Sequence, residues 1–144
     1  MQAKRVHVVL RQSAVSLEDA RRMIVGAEAK ARDIGQPMNI AVVDNGGNLV
    51  AFAHMDGAWK GSIDIAVNKA FTSAMFELPT KGLAEKAQPG KPFYGIQQSN
   101  HGRVMIFPGG APLEKDGAIC GAVGVSGGDN EQDQSVAEAA VAAL

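Results

Sequence analysis

One stretch constrains this chain more than any other: Met38-Asn39-Ile40-Ala41-Val42-Val43-Asp44, then Asn45-Gly46-Gly47, then Asn48 to Met55. The first run is apolar and β-branched, the pattern of a central strand. Two glycines after an asparagine accept positive φ and turn the chain straight back on itself. Asn48 to Met55 is then the returning strand, ended by Asp56-Gly57. Strands joined by so short a connection pair antiparallel.

The remaining segments fit around that hairpin. Ser16 suits a helix N-cap, with Glu18 and Asp19 in a first turn where acids favour the helix dipole. Leu17, Ala20, Ile24, Ala27, Ala31 and Ile34 recur at helical spacing, and Gly35 and Pro37 end the run. A second helix is predicted from about Ser62 to Phe76, with Ile63, Ala66, Val67, Ala70 and Ala74 inward and Pro79 stopping it. Residues 80–100 read as a long ordered loop with one helical turn around Leu83. Arg103 to Phe107 reads as a strand. A hairpin follows, Ala111 to Glu114 and Ala118 to Ser126, turned at Lys115-Asp116-Gly117. Asp129, with Gln132 three residues on, caps a last helix. Residues 1–15 suggest an arm or an edge segment. The expectation is a single α+β domain over 1–144, with an antiparallel sheet of about five strands and helices packed on it.

Composition narrows the function classes. Fourteen basic and fifteen acidic side chains leave a net charge of −1, which gives neither nucleic acid nor an anionic membrane a broad electrostatic surface. No apolar run approaches the roughly 20 residues of a membrane helix. The apolar patch Val6-His7-Val8-Val9-Leu10 is too short for a signal peptide, so a cytoplasmic location is expected. Cys120, the one cysteine, excludes an internal disulfide and cysteine-rich metal sites. Seventeen glycines and 23 alanines predict close packing of backbone on backbone.

Few residues stand out as chemical. The run from Gly121 to Gly128 precedes a helix but lacks the Gly-Lys-Ser/Thr of a Walker loop, and Asp129, Glu131 and Asp133 would repel a phosphate. Gly121 and Gly124 fit close approach to the strand instead. His54 sits at a strand end, where a side chain is presented to a loop or simply bonds a carbonyl. Lys69 lies beside the inner face of the second helix, either snorkelling over apolar surface or facing a carboxylate ligand. His101 occupies the polar stretch Gln97 to Arg103. His7, His54 and His101 are scattered, without metal-site spacing.

Taken together, Ala41 to Val50, Met55-Asp56-Gly57-Ala58, Asn68-Lys69-Ala70-Phe71-Thr72-Ser73-Ala74, Gly109-Gly110-Ala111-Pro112-Leu113, Gly121 to Gly128 and Glu131-Gln132-Asp133 resemble the GlcG/HbpS-like family, in that family's order, over residues 14–144. The resemblance implies a profilin-like fold, a homo-oligomer (often an octamer) and a small-molecule ligand. In some relatives, including the C-terminal domain of PduO-type proteins, that ligand is haem, with haem degradation or redox sensing attached to others. It implies haem at a subunit interface with Thr80, in Leu78-Pro79-Thr80, or a histidine such as His54 or His101 near the iron. Many relatives carry arginine before Met-Asp-Gly where this chain has His54, a change that supplies a ligand or removes a cation. A different reading is an enzyme or binding protein for a small organic acid, of isomerase, tautomerase or lyase type, with His54, Lys69, Asn100, His101 and Arg103 converging on the carboxylate. A third is a non-catalytic accessory subunit.

Overall fold

The computed structural model describes residues 14–144. His7 and nearly all of the expected arm lie outside the described residues. The elements are α1 (Leu17–Asp33), β1 (Asn39–Asp44), β2 (Leu49–His54), α2 (Ser62–Phe76), α3 (Thr80–Lys86), β3 (Gly110–Lys115), β4 (Ala118–Ser126) and α4 (Asn130–Ala142).

Local chemistry sets the boundaries. Ser16 Oγ accepts from the Asp19 N–H at 3.0 Å, which caps α1. Asp129 and Gln132 close a reciprocal capping box at the start of α4. In the β1–β2 turn, Asp44 Oδ1 accepts from the N–H groups of Gly46 and Asn48, each at 2.9 Å. Gly47 takes φ of +78°, and a Cβ there would press on Phe71 and Met75, so the turn itself is seated on α2.

The strands form one antiparallel sheet in the order β2-β1-β4-β3. Among the described residues there are four strands against the expected five or so, and Arg103 to Phe107 is not one of them. Its backbone is engaged elsewhere. Met105 N–H donates to Thr72 Oγ1 at 2.9 Å and the Arg103 carbonyl accepts from the same hydroxyl at 3.3 Å, so the segment is tied to α2 rather than to a ladder. The expected loop over 80–100 also holds more structure, namely α3 and a short 3₁₀ turn at Ile96–Gln98.

Alternation along the strands divides the core in two. Ile40, Val42, Val123 and Val125 face α1 and α4. All four are fully buried, worth about 1.5–3 kcal/mol each against exposure. Ala41, Val43 and Ala122 face Ala66, Ala70 and Ala74 of α2. The second layer is thin because its residues are small. At Gly124 a Cβ would collide with the Ala66 carbonyl and the Ala70 N–H, so helix backbone rests directly on strand backbone there. Helix α2 lies over β4, β1 and β3, whereas β2 contributes only Phe52 to the cluster beneath it. No helix among the described residues is long and apolar enough to cross a membrane.

Candidate functional site

His54 ends β2 with an exposed side chain. Directly across the ladder is Asn39, which is fully buried. Asn39 Nδ2 donates to the Trp59 carbonyl at 2.9 Å. An amide whose nitrogen faces a carbonyl must turn its oxygen the other way, and Asn39 Oδ1 meets His54 Nδ1. The ring therefore donates from Nδ1 to Asn39, and in its neutral form the lone pair falls on Nε2. That is the arrangement by which a second residue fixes an imidazole for ligation. The Trp59 side chain is 72% exposed, the most open large apolar side chain among the described residues.

Lys69 occupies a different environment. It is 1% exposed. Its ammonium donates to Asp133 Oδ2 and to the Val125 carbonyl, both at 2.8 Å. Asp133 Oδ1 accepts from the Gly128 N–H at 2.9 Å. Burial pulls the Lys69 pKa down and pushes that of Asp133 up, and in each case the partner's charge opposes the shift. The carboxylate that Lys69 faces is thus an internal one, and its stem is buried rather than snorkelling over surface.

Thr80 is fully buried as the first residue of α3. Its hydroxyl accepts from the Gly110 N–H at 2.8 Å and so holds the entry to β3. A Cβ at Gly110 would press on Thr80, on the Lys69 carbonyl and on Ser73. Thr80 and Lys69 therefore belong to one buried polar junction, beneath the turn at Gly109 and Gly110. His101 stands apart, exposed and with φ of +58° in the turn Asn100–Gly102. The Arg103 guanidinium stacks over Phe71, 3.6 Å from the ring centroid.

The sequence candidates are thus dispersed. The register row His54, Asn39, Ser126 runs along one end of the sheet, and the Lys69 junction lies at the same end, beyond β1 and β4. Four main cavities are lined by other residues than His54, Lys69, Thr80 and His101. Among the described residues no group of three or more His, Cys, Asp or Glu is placed to hold a metal ion. Cys120 is buried, and burial raises its thiol pKa, which leaves it unreactive. Two residues that matter escaped the sequence reading. Asn39 gave one signal, a polar residue inside an apolar strand run. Asp133 gave only its place in an acidic first turn and in the segment Glu131-Gln132-Asp133.

The family model for haem-degrading HbpS-like proteins matches residues 15–142. The chain belongs to the HbpS-like family. It is 42% identical over 129 residues to a 15.0 kDa protein of the dhaT-dhaS intergenic region of Citrobacter freundii, covering 90% of this chain and 91% of that one. To the corrinoid adenosyltransferase PduO of Salmonella typhimurium it is 33% identical over 131 residues, 91% of this chain but 39% of that protein's length. The crystal structure of a PduOC–haem complex matches with a TM-score of 0.87 at 33% identity, covering 91% of this chain and 95% of that one. These matches agree with the α+β architecture and with haem binding as a property found within this HbpS-like family.

Proposed function

We propose that this HbpS-like chain binds haem, with His54 Nε2 as the residue that would hold the iron, at a site completed by a second subunit. The observation that carries the reading is the Asn39 clamp on His54 Nδ1, which fixes the direction of an exposed ring and places the neutral form's lone pair on Nε2. Imidazole is a common protein ligand of haem iron. Phe52, two residues before His54 on the same face of β2, and the exposed Trp59 offer apolar surface to a flat macrocycle. Thr80 fits an iron contact less well, since its hydroxyl is buried and already accepts the Gly110 N–H. Bound haem supplies redox chemistry at iron, while the chain's own part is to orient the imidazole and to exclude water from one face. The organic-acid reading loses a member of its proposed set, because Lys69 is spent on Asp133.

The test is a haemin titration followed at the Soret band. The expected result is a stoichiometric endpoint with a shifted maximum, lost in His54→Ala and kept in His101→Ala. A featureless titration, or an endpoint unchanged in His54→Ala, overturns the assignment. Bleaching of the bound Soret band after a reductant is added would extend the function from binding to degradation.

A further inference from the structure

The two edges of the sheet are built differently. β3 carries Pro112, Glu114 and Lys115. A proline without an N–H and charged side chains are means by which an edge strand refuses another strand. β2 reads Leu-Val-Ala-Phe-Ala-His and has neither, and no strand among the described residues pairs with its outer side. Alongside it α1 leaves a shallow groove of about 500 Å³, lined by Leu17, Arg21, Val25, Glu28, Val50 and Phe52 among others. Val25 is 65% exposed and Leu49 52%. Arg21 has no ion-pair partner among the described residues. Helix α1 and strand β2 run in the same direction. The Val15 N–H bonds the Cys120 carbonyl near the start of α1, and Gln36 just past its end bonds the Gly127 carbonyl, at the end of the sheet that carries His54.

We propose that this edge takes a second copy of the chain, with β2 pairing antiparallel to β2 of the partner about a two-fold axis perpendicular to the sheet. Such an axis reverses α1 together with β2. Residues placed evenly on either side of Val25 then face one another. Arg21 lies about one turn before Val25 and Glu28 about one turn after it, on the same flank of the helix. Arg21 of each copy thus meets Glu28 of the partner subunit, on either side of an apolar centre made by the two valines. A two-fold that paired the strands parallel would put the two α1 helices on opposite faces of the sheet, so only the antiparallel pairing lets these opposite charges meet. Antiparallel pairing also brings the Leu49 end of one β2 beside the His54 end of the other. The apolar wall facing the imidazole is then the exposed Leu49 of the partner subunit. That last consequence rests on the haem reading, whereas the interface itself does not.

The test uses the full chain with no haem added. Cys120 is buried, so a cysteine introduced by Val25→Cys reacts alone. Mild oxidation is expected to give a disulfide-linked dimer from that variant and none from Lys91→Cys, on the exposed segment after α3. By light scattering, Arg21→Glu and Glu28→Arg should each weaken association by about tenfold or more, and the double exchange should restore it. Circular dichroism confirms that every variant is folded. Three outcomes overturn the interface: no disulfide from Val25→Cys, wild-type mass in both single variants, or no recovery in the double variant. A monomeric wild-type chain overturns it too, and leaves the haem titration to be judged on its own result.

Discussion

The Lys69 ammonium lies 2.8 Å from the Asp133 carboxylate, 64 positions away along the sequence and sealed inside the protein. Removing one partner strands the other charge in the core, which costs about 3–5 kcal/mol, while replacing both with apolar residues of similar size is far milder. Lys69→Met should therefore lower stability much more than Lys69→Met combined with Asp133→Leu. Urea unfolding of the two variants measures the gap. Equal losses would mean that the charges are not coupled.

Asp19 gives a defined pH effect. The hydrogen bond from Arg22, with further help from Lys115 and Ser16, lowers its pKa from 3.8 to about 2. A folded-state pKa below the unfolded one adds stability above the unfolded value, and this is lost as pH falls through the folded value. The melting temperature of Asp19→Asn should thus trail the wild type at pH 6, close on it below pH 4 and meet it near pH 2. A gap that stays constant across this range would refute the ion-pair account.

Asn39→Ala separates positioning from ligation. It leaves the His54 ring in place but frees its orientation, and second residues behind a ligand are worth about 10- to 100-fold in affinity. The Trp59 carbonyl loses one of its two donors but keeps the Ser62 N–H at 3.2 Å, so the fold should tolerate the change. Haemin affinity should fall by that factor with stoichiometry retained, whereas His54→Ala abolishes the endpoint. Unchanged affinity in Asn39→Ala would show that the amide does not aim the ring.

Two glycines should respond in opposite ways. Gly124→Ala drives a methyl group into the Ala66 and Ala70 backbone, an overpacking that costs about 3 kcal/mol or more. Gly82, inside α3, has open space around it, and alanine there should add about 0.5–1 kcal/mol. Thermal melts of both variants check the pair of signs.

What the sequence made legible follows from how local each cause is. The hairpin at Asn45-Gly46-Gly47, the caps at Ser16 and Asp129 and the close approach at Gly124 each depend on a few neighbouring residues. Arg103 to Phe107 was misread because a strand pattern does not reveal that Thr72, 33 positions before Met105, captures its backbone. Lys69 could not be assigned from its own helix, since Asp133 lies on another element altogether. For His54 the sequence supplied the strand end and the presented ring. The tautomer became visible only with Asn39 and Trp59 in place, as register and loop path together bring them to the ring.

The roof formed by α2 stops short of β2, so the strip bearing Leu49 and His54 is the part of the sheet that the core does not police. Exchanges at such open positions typically move stability by no more than about 0.5 kcal/mol. Descendants of this scaffold can therefore rewrite that strip, arginine for histidine included, without renegotiating the fold. New ligands can be tried there while the glycine-seated layer beneath stays as it was.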